Sequence, residues 1–220
     1  MRDRLIIALD VPDLSYSFLH DQIHPLIKAG FLNYKIGPQV ILDPGFSSAM
    51  VALKKRNLHL FLDFKLPDTP DTVRETVKRA GEWGIKILTV DPSVVYAATQ
   101  VNTFDMKIIS VVWLTSQPHP WSDTQVFRSI GSAKVDNADG VVLPAVKDYL
   151  TKAKDLGLIS ICPGVRLEGE KKDNHRIFVT PEQAIRNGAD YIVMGRSIVE
   201  AEHPVQAANR IVEEMSKGSS

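Results

Sequence analysis

Residues 180–195 read TPEQAIRNGADYIVMG, which predicts a helix followed directly by a β-strand. Thr180 and Gln183 form a capping box around Pro181 at the first helical position, and Gly188 is suited to end the helix. The apolar run after Asp190 is short and bounded by a glycine, as in a buried strand. A helix and a strand joined by a short connection form one unit of an α/β protein.

Seven similar apolar runs precede this strand, separated by amphipathic helical stretches. They begin about 26 residues apart, near Leu5, Leu32, Leu58, Ile85, Lys107, Asp139 and Leu158. Apolar strands that alternate with helices predict a parallel sheet covered on its outer face. Eight such units within 220 residues predict an α/β protein with a single (β/α)8 TIM barrel over residues 1–216, followed by a flexible, frayed tail at 217–220.

Composition and charge exclude several classes of protein. The chain has 26 basic and 26 acidic side chains, and its net charge of zero argues against a polybasic nucleic-acid or membrane-surface protein. No run approaches the roughly 18 apolar residues of a membrane span, and the first apolar run is too short for a signal peptide. The single cysteine, Cys162, lies in an apolar run and is interpreted as a buried structural thiol. We therefore expect a cytoplasmic protein that binds neither nucleic acid nor a membrane.

Charged residues follow the first three predicted strands. The active site of a TIM barrel lies at the carboxyl ends of its strands, where the sequence has Asp10, Lys35, Asp63 and Lys65. Asp63 and Lys65 are two apart in an extended segment and are expected to point to the same side, with Asp68 one turn later. We predict a nearly neutral network in which the two lysines alternate with Asp63 and Asp68. The alternative is a solvated loop in which Asp68 favours the start of the next helix.

Two glycine–arginine pairs follow the last two strands. Gly164 and Arg166 come after the seventh strand, and Gly195 and Arg196 after the eighth. Loops at these places are the recurrent phosphate site of TIM barrels, because glycine lets backbone N–H groups approach an anion and arginine binds its oxygens in pairs. The alternative is a pair of tight turns with surface arginines. The polar stretch before Thr180 is either a lid over bound phosphate or a disordered loop.

Motifs for metals and organic cofactors are absent from the sequence. The six histidines have no HxH or HExxH spacing, which argues against zinc. Neither GxGxxG nor the GxxxxGK motif of nucleoside triphosphate sites occurs. We therefore expect no metal and no cofactor.

The chain resembles the orotidine 5′-monophosphate decarboxylase family over nearly its whole length. The resemblance is carried by LIIALDV at strand one, YKIG at strand two, DFKLPDTPDTV at strand three, PGVR after strand seven and TPEQAIRNGADYIVMGRSI through strand eight. The strand-three motif together with the lysine at strand two is highly specific, whereas PGVR or MGRSI alone is weak. The resemblance implies conversion of orotidine 5′-monophosphate (OMP) to uridine 5′-monophosphate (UMP) and CO2 in pyrimidine biosynthesis, without a cofactor.

The resemblance also implies a role for each matching charged residue near the reacting carbon. Lys65 matches the proton donor to C6 of the pyrimidine, and Asp63 matches the aspartate set against the substrate carboxylate. Lys35 matches the lysine that bonds the ribose and aligns the charged network. Asp10 matches an aspartate that contacts the ribose.

Further matches concern the phosphate and a second subunit. Gly195 and Arg196 match the phosphate loop, and Arg166 matches an arginine on the phosphate side. Asp68 and Thr72 match a pair that reaches into the site of the partner subunit, so that a homodimer with shared active sites is implied.

The chain departs from the family pattern at three places. Thr69 replaces an isoleucine after the last aspartate of the strand-three motif, and His175 stands about where the lid usually carries a glutamine. Thr115 and Ser116 match the residue that reads the pyrimidine edge in one register, whereas another register places Pro118 there.

Two other functions stay open on the sequence. A keto-sugar-phosphate decarboxylase or aldolase of the same superfamily would share the Asp-x-Lys-x-x-Asp motif, but such relatives have a metal-binding acidic residue where this chain has Lys35. A catalytically silent nucleotide-binding barrel is the other, and the intact pair of Asp63 and Lys65 argues against it.

Overall fold

Eight parallel strands close into a barrel. The computed structural model describes residues 1–10, 18–54, 58–113, 122–169 and 179–219. Each strand pairs in parallel with the next, and the eighth pairs with the first. The strands are β1 (Leu5–Ala8), β2 (Asn33–Ile36), β3 (His59–Leu66), β4 (Ile87–Val90), β5 (Lys107–Val111), β6 (Gly140–Val142), β7 (Ile159–Cys162) and β8 (Tyr191–Met194). The predicted (β/α)8 barrel is confirmed, and each strand begins within one of the apolar runs.

Helices pack around the outside of this barrel. Short 3-10 turns occur at Arg2–Arg4 and Pro92–Val94, and a π-helical segment at Leu19–Ile23 leads into the first α-helix. None of the described helices combines the length and apolar character needed to cross a bilayer. The α-helices are α1 (His24–Lys28), α2 (Pro38–Ile41), α3 (Phe46–Lys54), α4 (Pro70–Glu82), α5 (Val95–Thr99), α6 (Asp123–Val135), α7 (Lys147–Asp155), α8 (Pro181–Asn187), α9 (Arg196–Val199) and α10 (Pro204–Lys217).

Local sequence signals set the ends of α8 as predicted. The Thr180 side chain accepts from the Gln183 backbone N–H at 3.2 Å, and the Gln183 side chain accepts from the Thr180 N–H at 3.1 Å. Gly188 ends the helix in the left-handed region at φ 105°, which a residue without Cβ adopts readily.

Two apolar layers form the core because alternate strand residues point to opposite faces. The outer layer lies between strands and helices and contains Cys162, which is fully buried. Burial, with a smaller contribution from Asp190, raises the pKa of the Cys162 thiol, so the cysteine is the structural residue expected from the sequence. The inner layer fills the barrel and consists of Ile6, Ala8, Phe61, Ile109, Val111, Val142, Ile161 and Val193.

The last helix extends one residue beyond residue 216, after which the sequence places a frayed tail. Lys217 is the last residue of α10, and Gly218 is buried. A Cβ at Gly218 would lie 2.3 Å from the carbonyl oxygen of Glu182, so the close packing of this turn on α8 requires glycine. The tertiary contact with α8 keeps these two residues in the fold.

Candidate active site

The carboxyl ends of the strands open into a cavity of about 340 Å³. Its base is apolar and includes Ala8, Phe61 and Val193 of the inner core layer. Its walls carry seven of the residues that the sequence predicts for the site, namely Asp10, Lys35, Asp63, Lys65, Arg166, Gly195 and Arg196. Residues from β1, β2 and β3 thus face the loops after β7 and β8 across one space.

Four charged side chains form a continuous network along one wall. Lys35 Nζ lies 2.6 Å from Asp10 Oδ2 and 3.3 Å from Asp63 Oδ2. Lys65 Nζ lies 2.8 Å from Asp63 Oδ2. Charges of opposite sign therefore alternate in the order Asp10, Lys35, Asp63 and Lys65. Lys35 and Asp63 are both buried, whereas the side chain of Lys65 is 34% exposed and borders the cavity.

The carboxylate of Asp63 is the centre of this network. Burial alone would raise its pKa, but the charges of Lys35 and Lys65, with hydrogen bonds from Lys65 and Thr89, outweigh burial and lower the pKa below its usual range. Its two oxygens have different partners, since Oδ2 faces both lysines and Oδ1 accepts from Thr89 Oγ1 at 3.0 Å. Asp63 is therefore a fixed negative charge at neutral pH.

Lys65 has an unusual backbone conformation. Its φ is 50°, in the left-handed region that a residue with a Cβ seldom occupies. The pairing of β3 with β4 shifts register between Leu62 and Leu66, so Lys65 lies at a local irregularity. Its backbone N–H donates to Thr89 Oγ1 at 3.0 Å. Asp63 and Lys65 come together as the spacing predicts, but through this irregularity and not through plain strand alternation.

The opposite wall consists of the two glycine–arginine loops. Gly164 has a φ of 78°, and a Cβ at Gly195 would lie 3.2 Å from the Ala8 carbonyl oxygen, so both positions favour glycine. Arg166 and Arg196 line the same cavity. The Arg166 backbone N–H also donates to the Val179 carbonyl at 3.1 Å, so the segment between these residues begins and ends beside the cavity.

Asp68 does not join the network within one chain, in contrast to the expected alternation of Lys35, Asp63, Lys65 and Asp68. It is exposed, lies outside the cavity lining and accepts from the Thr69 backbone N–H at 2.6 Å. Asp68 lies in the exposed segment between the end of β3 at Leu66 and the start of α4 at Pro70. Asp10 takes the fourth place. Thr72 is likewise exposed, with its backbone N–H bonded to Thr69 Oγ1.

Three predicted site residues lie outside the described part of the chain. They are Thr115 and Ser116, proposed to read the pyrimidine edge, and His175 of the lid segment. Their roles stay predictions.

One residue that contacts the network was missed from the sequence. Thr89 lies on β4, fully buried, and bonds both Asp63 and Lys65. Ile87, two residues earlier, packs on the inner core layer, so Thr89 also faces the barrel interior. A hydroxyl on the inward face of an apolar strand, beside the strand that carries the charged motif, is the signal that could have identified it.

Comparison with known proteins places this site in a family. Residues 3–211 match the family model described as "Orotidine 5'-phosphate decarboxylase / HUMPS family". An orotidine 5′-phosphate decarboxylase from Methylorubrum extorquens is 34% identical, with 97% of this chain and 96% of the relative covered. One from Xanthomonas euvesicatoria is 31% identical, with 97% and 92% covered. The crystal structure of orotidine 5′-phosphate decarboxylase from Pyrococcus horikoshii superposes with a TM-score of 0.77 at 25% identity, over 96% of this chain and 99% of that one. The chain belongs to the orotidine 5′-phosphate decarboxylase / HUMPS family.

Proposed function

We propose that this chain decarboxylates OMP to UMP and CO2 in pyrimidine biosynthesis, with neither metal nor organic cofactor. The observation that carries the proposal is the alternating network from Asp10 to Lys65, which faces Arg166 and Arg196 across one cavity. The cavity volume of about 340 Å³ is in the range of small-molecule sites. The family membership supports the same reaction.

The two walls of the cavity suit the two ends of a nucleoside monophosphate. Arg166 and Arg196 would bind the phosphate oxygens through paired, charge-assisted hydrogen bonds, and Gly195 allows the phosphate to approach the backbone. Asp10 would accept a hydrogen bond from a ribose hydroxyl, and Lys35 would donate one. The pyrimidine would then lie over the apolar base with C6 toward Lys65.

The chemical step requires stabilisation of charge at C6. The bond from C6 to the carboxylate carbon breaks, CO2 leaves, and the electron pair remains on C6, where no neighbouring carbonyl delocalises it. The Lys65 ammonium would stabilise this pair and then transfer a proton from Nζ to C6 to give UMP, after which Nζ regains a proton from solvent. Asp63, ionised and 2.8 Å from Lys65 Nζ, holds the ammonium in place.

The high activation barrier of this decarboxylation explains why the charged network would need to be in place before the substrate binds. Enzymes lower barriers by about 8–23 kcal/mol, and a carbanion without an electron sink needs the upper part of that range. A charge already oriented in a partly water-excluded site needs no reorganisation when the bond breaks. Contacts with phosphate and ribose lie away from C6, so their binding energy can hold the substrate against Lys65.

We further propose a homodimer in which Asp68 and Thr72 complete the cavity of the partner subunit. Both residues are exposed at the rim and outside the lining of their own cavity. Such a contribution would add the fourth charge of the expected network, next to Lys65, from another chain.

Loss of OMP absorbance in the ultraviolet tests the proposal directly. Purified protein in buffer with a chelator should consume OMP and form UMP in equal amounts. Lys154→Ala, on the exposed surface of α7, should do the same. Absence of turnover would refute the proposal, and turnover of OMP that the chelator abolishes would refute the part of it that excludes a metal.

A further inference from the structure

One hydroxyl connects the two halves of the charged motif on β3. Thr89 Oγ1 donates to Asp63 Oδ1 and accepts from the Lys65 backbone N–H, each at 3.0 Å. The side chain has no exposed surface and does not line the cavity. Thr89 therefore has no access to a bound substrate and can act on it only through Asp63 and Lys65.

The bond to Asp63 sets the rotation of the carboxylate. A carboxylate turns about its terminal bond with little preference, so its partners decide where each oxygen points. The hydrogen bond from Thr89 fixes the position of Oδ1. The other oxygen, Oδ2, then faces Lys35 at 3.3 Å and Lys65 at 2.8 Å. Without the hydroxyl, Oδ1 would lose a buried donor and the carboxylate could turn away from one lysine.

The bond to Lys65 supports its unusual backbone. The left-handed conformation at φ 50° is unfavourable for a residue with a Cβ and persists where surrounding contacts hold it. The register of β3 and β4 shifts across this segment, and the Lys65 N–H is bonded to the Thr89 hydroxyl in place of a backbone carbonyl. The Thr89 hydroxyl thus accepts the hydrogen bond from the Lys65 N–H that a backbone carbonyl would accept in a regular sheet.

We propose that Thr89 is a positioning residue, which sets the direction of the Asp63 carboxylate and the backbone of Lys65 and so places the Lys65 ammonium over the reacting carbon. The inference rests on the proposed function of Lys65 as the proton donor. It predicts that removal of one hydroxyl outside the cavity impairs the chemical step more than the binding of substrate.

Thr89→Val tests this role because it removes the hydroxyl at nearly constant side-chain volume. Thr89→Ser is the conservative variant, because it keeps the hydroxyl and loses only the methyl group. Ser110→Ala is the matched control, since Ser110 is a fully buried hydroxyl on β5 that bonds to no group among the described residues. We expect Thr89→Val to lower kcat for OMP by about tenfold to a hundredfold with KM changed less than about threefold. Thr89→Ser should recover most of kcat, and Ser110→Ala should stay near the starting protein.

The pH profile separates positioning from a general structural defect. A hydrogen bond to the ionised carboxylate lowers its pKa, so loss of that bond should raise the pKa of Asp63. The acidic limb of kcat/KM in Thr89→Val should therefore move to higher pH and return in Thr89→Ser. A kcat within about threefold of the starting protein, or equal losses in Thr89→Val and Thr89→Ser, would overturn the proposal.

Crystal structures of the variants test the positioning without any assay of turnover. In Thr89→Val we expect Lys65 to leave the left-handed region or the Asp63 carboxylate to rotate, and in Thr89→Ser neither. An unchanged geometry in Thr89→Val would refute the inference even if OMP is the substrate. A starting protein that does not turn over OMP would instead refute the proposed function. If Thr89→Val does not fold, Thr89→Ala takes its place.

Discussion

Two lysine–aspartate pairs at opposite ends of the barrel have nearly the same length but different surroundings. Lys65 and Asp63 lie 2.8 Å apart at the carboxyl mouth, and Lys86 and Asp105 lie 2.7 Å apart at the amino end. The Asp63 side chain is 12% exposed and faces a second lysine, whereas the Asp105 side chain is 96% exposed. Contact distance therefore does not separate the pair at the cavity from the pair on the surface, because burial and further charges decide how strongly each charge is held.

The two aspartates also differ in how their charge is stabilised. The pKa of Asp105 is lowered chiefly by its hydrogen bond with Lys86 and by the charge of Lys86, both of which outweigh the effect of burial. The pKa of Asp63 is lowered although burial opposes it, which requires two lysines and two hydrogen bonds. Water can replace the partner of Asp105 but not those of Asp63.

The largest expected effect is the loss of turnover when Lys65 is removed. If Lys65 is the proton donor, Lys65→Ala should lower kcat for OMP by about 10⁴-fold or more, because both the proton and the positive charge beside C6 would be lost. Calorimetric binding of UMP should persist, since the proposed phosphate contacts of Arg166 and Arg196 would be unchanged. Lys86→Ala is the matched control and should leave kcat within about twofold. Comparable losses in both variants would contradict the assigned difference.

The next effect concerns stability. Asp63→Asn should destabilise the fold by about 3 kcal/mol, because it leaves the ammonium groups of Lys35 and Lys65 without their common partner in a partly buried site. Denaturant unfolding at neutral pH measures the loss. Asp105→Asn is the control and should leave the unfolding midpoint unchanged. An unaltered midpoint in both variants would show that burial makes no difference between the pairs.

The same comparison has a pH dependence of known sign. The pKa of Asp63 is lower in the folded chain than in the unfolded one, so its contribution to stability is present above pH of about 4 and is lost as pH falls through the folded value. The difference in stability between the starting protein and Asp63→Asn should therefore shrink below about pH 4. A difference that is constant from pH 7 to pH 3 would contradict the lowered pKa.

Asp68 offers a further test, because it is exposed in the single chain although it is proposed to complete the site of a partner subunit. If it completes the site of the partner subunit, Lys65→Ala and Asp68→Ala should each be nearly inactive, whereas a refolded mixture should recover up to about a quarter of full activity. Half of the dimers in a random mixture would pair one variant with the other, and each of these would contain one intact site of two. A mixture no more active than its components would refute the shared site.

The smallest expected effect is at the wall of the cavity formed by the two glycine–arginine loops. Arg196→Ala should raise KM for OMP about tenfold or more with a smaller change in kcat, because the arginine lies away from C6. Arg186→Ala on α8, whose guanidinium pairs with Glu182 on the surface, is the control. An unchanged KM in Arg196→Ala would argue against the phosphate contact.

Much of the fold followed from local patterns. The eight apolar runs predicted the eight strands, since a strand buried on both faces requires a continuous apolar sequence. Thr180 and Gly188 predicted the ends of α8, because capping depends on the backbone within one turn. Apolar runs and helix caps depend only on residues close together in the chain, so the sequence alone is enough to identify them. The packing of Gly218 against α8 is not a local signal, because it depends on a tertiary contact.

The positions of the candidate site residues could be predicted where they depend on strand ends, and their roles stay predictions. Asp63, Lys65 and Lys35 were expected at one mouth and lie there. Asp68 was expected in the same network and lies outside it, exposed and bonded to the Thr69 backbone N–H in the connection between β3 and α4. Thr89 was missed because a single threonine in a strand is ordinary by composition.

By itself, the sequence determined the number and order of the strands, the residue types at the carboxyl mouth and the resemblance to one family, because each of these depends on short-range pattern. Only the tertiary structure decided that Asp10 closes the network in one chain and that Thr89 joins Asp63 to Lys65. These contacts join residues on different strands, and their distances depend on the register and closure of the barrel. A hydrogen bond is sensitive to tenths of an ångström, which no local pattern specifies.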